Sequence, residues 1–120
     1  MQSSKPRKQR LFRFNAPMHV RQSYAHAHVA KEAAEKLGIK RRSIQVRRGD
    51  TVKVMTGSNK GKSGKVNRVD LRRSAVYIEG ISRKTAKGKE LLLPIKASNV
   101  YITAIDTGDK LRREKLGVKQ

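Results

Sequence analysis

The sequence predicts a mainly β protein, a small barrel preceded by a basic N-terminal tail and an N-terminal α-helical segment. Short runs in which apolar and polar residues alternate recur after residue 43: Ile44 and Val46, Val52 and Val54, Val66 and Val69, then Val100, Ile102 and Ala104. Alternation at period two puts one side of each run on a core and marks strands rather than helices. Polar turns separate the runs at Arg47–Asp50, Gly57–Gly64, Leu71–Ser74 and Ser82–Lys89. Short strands this closely spaced are those of a small barrel. The stretch from Pro17 to Leu37 differs, because Ala25, Ala27, Ala30, Glu32, Ala33, Ala34, Glu35 and Lys36 are mostly helix formers.

Along the chain, residues 1–16 carry Lys5, Arg7, Lys8, Arg10 and Arg13 with no acid, and Leu11, Phe12 and Phe14 interrupt the charge. This tail is expected to be extended and unordered until bound, since it has too little apolar surface to bury. The phenylalanines would anchor it on the domain or stack on bases of a nucleic acid. Residues 17–42 form the helical segment and a basic linker, Lys40-Arg41-Arg42. Pro17 suits a first helical turn and Gly38 a helix stop. Val29, Ala33 and Leu37 make one apolar stripe at i, i+4 and i+8. The pattern leaves open whether this is one helix or two, with a break near Ser23–His28.

Residues 43–105 hold the barrel. Gly49 to Val66 reads as a hairpin presenting Lys60, Lys62 and Lys65 near its tip. Glycine there lets the backbone turn and lets another molecule come close; lysine supplies a point charge. Leu71-Arg72-Arg73-Ser74 is a second tip, and Ser82–Lys89 a third, basic loop with Lys84, Lys87 and Lys89. Pro94 limits the run Glu90–Lys96 to an edge or an end of the sheet. Residues 106–120 are a polar extension with a short helix at Lys110–Gly117.

The chain has 120 residues with 30 Lys+Arg against 9 Asp+Glu, a formal charge of +21. A solubility-tuned small domain carries roughly 2–8 net charges, so the excess calls for a polyanionic partner. Cysteine is absent, which excludes disulfides and thiolate metal sites. No apolar run reaches the roughly 18 residues of a membrane span. The N-terminus has no apolar h-region and lacks the Ser-rich amphipathic helix of a transit peptide.

Catalytic and nucleotide-binding readings fail on particular residues. Gly61-Lys62-Ser63 matches the end of a phosphate-binding P-loop, but the first glycine would have to be residue 56, which is Thr56. The residues after Ser63 also continue in strand period, where a P-loop must feed a helix. His26 and His28 are two apart, so on a helix they diverge, and no carboxylate cluster completes a metal set with His19. Asp50, Glu79 and Asp109 read as turn, pairing or capping residues, Asp50 as a carboxylate bonding local backbone N–H groups. No cofactor or small-molecule substrate is therefore expected. A DNA reader would present a basic recognition helix, whereas Val29–Lys36 balances Lys31 and Lys36 against Glu32 and Glu35.

Arg48-Gly49-Asp50-x-Val52-x-Val54, followed by Gly57-x-x-Lys60-Gly61-Lys62-x-Gly64-Lys65-Val66, resembles the KOW motif. The version closely resembles that of the large-subunit ribosomal protein family numbered twenty-four in bacteria and archaea and twenty-six in eukaryotes. Phe14-Asn15-Ala16-Pro17-x-His19-Val20-Arg21 resembles the N-terminal extension of the archaeal and eukaryotic branch. Tyr77-Ile78-Glu79-Gly80 and Pro94-Ile95-x-Ala97-Ser98-Asn99-Val100 sit where that family has later strands, so the likeness covers roughly residues 10–105. KOW elements also occur in transcription elongation modules, which would bring a polymerase-binding partner domain; the N-terminal string sets this chain apart from them.

The resemblance implies an SH3-like β-barrel that binds large-subunit ribosomal RNA, helps start subunit assembly near the 5′ region of that RNA, and lies near the peptide exit tunnel. Gly61 matches the family's characteristic glycine. The expected partners are that RNA and neighbouring large-subunit proteins in a cytoplasmic particle, with no membrane and no homo-oligomer. The residues expected to meet RNA are Arg7, Lys8, Arg10, Arg13, Arg21, Arg41, Arg42, Arg47, Arg48, Lys60, Gly61, Lys62, Lys65, Arg72, Arg73, Lys84, Lys87 and Lys89. Backbone contacts would supply affinity, and RNA shape the choice of site.

Overall fold

A computed structural model describes residues 3–118. The first element is a ten-residue helix, α1, Pro6–Asn15. The extended tail expected there is thus corrected. Lys, Arg, Gln and Leu are good helix formers, and Pro6 at the first turn presets its dihedral. None of its residues is buried.

Helix α2 spans Met18–Ser23, with Pro17 just ahead of it. The break in the helical segment is a strand, β1, His26–Val29. Ala25 and Ala27 are buried, and His26 and His28 share the other side, the opposite of their divergence on a helix. Helix α3, Lys31–Leu37, then stops at Gly38, whose φ of 65° is left-handed and whose N–H bonds the Glu35 carbonyl. Of the expected stripe, Ala33 and Leu37 lie on α3, and of these Ala33 alone is fully buried.

The remaining strands are β2 Ser43–Gln45, β3 Thr51–Val54, β4 Ser63–Asp70, β5 Ala75–Lys84, β6 Glu90–Lys96 and β7 Val100–Ala104; a single 3-10 turn, Ala97–Asn99, joins the last two. They form one seven-stranded sheet in the order β2-β1-β7-β3-β4-β5-β6. Neighbours are antiparallel except β1 with β7, which are parallel. The sheet rolls in the manner of an SH3-like barrel without hydrogen-bonded closure. Residues Pro94–Lys96 of β6 come round to line one cleft with Val54 and Gly57–Asn59 at the end of β3. β6 is an outer strand, as Pro94 required.

Two features produce the roll. The β5–β6 register shifts between Tyr77 and Ser82, around Gly80 at φ 82°; a break of this kind bends a strand at a barrel corner. Gly64 lets β4 pass close to β5, since a Cβ there would lie 2.5 Å from the Glu79 carbonyl oxygen and 2.7 Å from the Ile78 methyl. The inner face is one cluster in which Val52 opposes Ile102 and Val54 opposes Val100. Each such side chain, fully buried, contributes about 1.5–3 kcal/mol.

Helix α4, Lys110–Leu116, has Asp109 as its N-cap, accepting from the Leu111 N–H at 3.0 Å, and ends at Gly117 in the left-handed region. A buried ion pair ties it to the barrel. Asp50, 0% exposed, accepts from Arg112 through both oxygens, at 2.6 and 2.7 Å. The Arg47 N–H and the Asp106 N–H donate to the same carboxylate at 2.9 and 3.0 Å. Arg112 also donates to the carbonyls of Gln45 and Asp106.

Candidate nucleic-acid interface

The cations form two groups. The larger begins on α1, where Arg7, Lys8, Arg10 and Arg13 rise from a helix without acids. Arg13 is the tether: it donates to the Ser74 hydroxyl and lies 5.1 Å from the centre of the Tyr24 ring. Arg21 is a brace, donating to the Phe14 carbonyl at 2.7 Å. These contacts seat α1 over the Leu71–Ser74 turn. There the Asp70 carboxylate accepts from the Arg72 and Arg73 N–H groups, at 3.0 and 3.3 Å. The bonds fix the tip and leave both arginine side chains exposed.

Next to this turn, Arg47, Arg48, Asn67, Arg68 and Leu71 line an open groove. Arg68 was not foreseen. It lies on the solvent side of β4, and its guanidinium stands 4.5 Å from the centre of the Tyr77 ring, a stacking contact that holds the charge in one orientation. The only signal for it in the sequence is its place in the strand alternation. Arg47 pairs with Asp109 at 2.7 Å, which lowers the Asp109 carboxyl below its ordinary value, chiefly through that hydrogen bond. Beyond Arg47, Arg41 lines the next hollow against α4. Arg42 is exposed, and its carbonyl accepts from the Val29 N–H. From α1 to Arg41 these clefts share Gln45 and Arg47 or meet at the 71–74 turn, so the cations lie along one belt, broken at Arg47 by its pair with Asp109.

The second group lies elsewhere. Lys60, Gly61 and Lys62 stand on the hairpin tip, where Gly57 and Gly61 adopt φ of 96° and 88°. Nothing lies within 4 Å of a Cβ built on Gly61, so the space above it is open to another molecule. Lys62 donates to the Asn59 side chain at 3.1 Å. Lys65 is not at the tip: it sits along β4 opposite Thr51, facing solvent. Lys84 ends β5, Lys87 lies within a tight turn, and the Lys89 carbonyl closes that turn by accepting from the Thr85 N–H at 2.8 Å.

Among the described residues no three His, Cys, Asp or Glu side chains gather as a metal site, and no helix is long and apolar enough to cross a membrane. The fold and its surface define a class: a small rolled β sheet with appended helices, whose turns carry cations outward. The chain belongs to the family of eukaryotic ribosomal proteins L26 and their archaeal L24-type counterparts, whose family model matches residues 3–119. It is 48% identical over 116 residues to the large ribosomal subunit protein uL24 of Methanothrix thermoacetophila, covering 97% of each chain. The proteins of the same name from Pyrobaculum islandicum and Methanospirillum hungatei are 45% and 47% identical, over 93% and 95% of this chain and 89% and 93% of their own length.

Proposed function

We propose that the protein is a structural constituent of the large ribosomal subunit, in the cytoplasm, that binds ribosomal RNA without catalysis. The observation that carries this is the cationic belt, set in a chain of charge +21. RNA phosphates would relieve its repulsion, and separate turns and a helix would meet separate RNA segments. The open space above Gly61 suits close approach of an RNA backbone between Lys60 and Lys62. The family resemblance extends the reading: the protein would bind early, help start assembly, lie near the peptide exit tunnel, and meet neighbouring large-subunit proteins.

The direct test is binding to in-vitro-transcribed large-subunit ribosomal RNA over a range of salt. With ~8 phosphates engaged, the slope of log affinity on log salt should be about −6 to −7, at roughly 0.7–0.9 per phosphate. A nearly flat dependence overturns the reading. Co-sedimentation with large subunits that is lost after RNase treatment supports it. Omitting the protein from a reconstitution tests the early role, and crosslinking to a nascent chain tests the tunnel position.

A further inference from the structure

At the seam of α4 with β1 and β2 the surface dips into a cavity of about 100 Å³. His26 of β1, Arg41 of the linker, Ser43 of β2 and Lys115 of α4 line it, with Arg47 and Arg112 alongside. The charges facing it divide into two sorts. Arg112 is neutralised by Asp50, and Arg47 by Asp109. Arg41 and Lys115 form no ion pair among the described residues. Both converge on His26: partial burial first, then the charges of Lys115 and Arg41, hold its imidazole below the ordinary value. Two uncompensated cations, an imidazole and a hydroxyl thus surround one space. Three of these groups are donors at neutral pH, and the neutral imidazole adds one N–H.

We propose that this cavity is a phosphate subsite, seating one backbone phosphate of the bound RNA at the α4 end of the cationic belt. The guanidinium of Arg41 suits two oxygens of such a group at once. Lys115 supplies a point charge, and Ser43 and His26 supply neutral donors. The space exceeds by several-fold the ~30 Å³ share of a water molecule. The subsite extends the interface onto the C-terminal helix, which no part of the sequence pattern had joined to it. It rests on the RNA-binding reading.

The test uses full-length protein and in-vitro-transcribed large-subunit ribosomal RNA, with affinity measured across salt. Arg41→Ala with Lys115→Ala should make the log–log slope shallower by about 0.7–0.9, the share of one phosphate. Lys31→Ala with Lys36→Ala removes the same charge from α3 and should leave the slope unchanged. Arg41→Lys with Lys115→Arg should keep the wild-type slope. All four positions are exposed, and thermal melts identify any variant that fails to fold; Lys115→Met, which keeps the stem's packing, is measured beside the double variant and should shift the slope in the same direction. If the Arg41/Lys115 double variant matches the α3 control, the subsite is overturned while the RNA reading stands. A flat wild-type slope overturns both.

Discussion

Asp50 is the residue on which two distant parts of the chain depend. Its carboxylate has no solvent exposure and four donors. Removing one partner of a buried pair strands the other charge, which costs about 3–5 kcal/mol. Asp50→Asn and Arg112→Met should each lower stability by roughly that amount, measured by chemical denaturation. The double variant should lose clearly less than the two singles summed; additive losses would mean the two groups are not coupled. Two glycines separate packing from conformation in the same way. Gly64→Ala drives a methyl into the Glu79 backbone and should destabilise the fold by about 1–3 kcal/mol. Gly61→Ala meets open space but a left-handed backbone, which costs about 1–2 kcal/mol, and its loss of RNA affinity should exceed that. If RNA affinity falls no further than stability, Gly61 is only a turn residue. The local bond of Asp50 to the Arg47 N–H was legible from the Gly-Asp turn. Arg112 was not, because nothing local marks one arginine among thirty Lys+Arg as the buried one.

At the scale of elements, the strands from β2 onward and α4 were legible for physical reasons. The β3–β4 hairpin has valines at period two around a turn that needs glycine. Helix α4 has an aspartate that caps it and a glycine that ends it. β1 was hidden, because Ala25, His26, Ala27 and His28 lie among helix formers and lack a β-branched residue before Val29. Pairing with β2 and β7 decides its conformation, and such pairing overrides local preference. α1 was hidden by its charge, although its residue types favour a helix. A ten-residue helix is marginal in water by itself, and α1 buries nothing, so its attachment through Arg13 should decide its population. Arg13→Ala should lower the helical circular-dichroism signal by about the share of α1 and weaken RNA binding, with the barrel's melting point unchanged. An unchanged helical signal would show that α1 persists without its tether.

For the whole molecule, charge sets a tension between the free and bound states. Among the described residues only the Arg47–Asp109 and Arg112–Asp50 ion pairs relieve it. Salt screens self-repulsion over about 8–10 Å at physiological strength, so the melting temperature of the free protein should rise with added salt. RNA affinity should fall over the same range. A melting temperature that falls with salt would show that the two pairs outweigh the repulsion. The belt could not be assembled from the sequence, because it depends on α1 lying over the 71–74 turn and on Arg47 standing between two clefts.

The Asp50–Arg112 clasp also sets an order of events in time. Its partners are 62 residues apart, a distance the translation machinery covers in roughly 3–12 s at ~5–20 residues per second. For most of that interval the Arg47 N–H is the one donor of the four already made. β1 likewise waits for β7, its parallel neighbour near the far end of the chain. The protein therefore cannot complete its fold from the N-terminus as it emerges. Helix α4 acts as a latch that closes only after the strands have been made, and without Arg112 the buried Asp50 carboxylate keeps its backbone donors but loses its counter-ion.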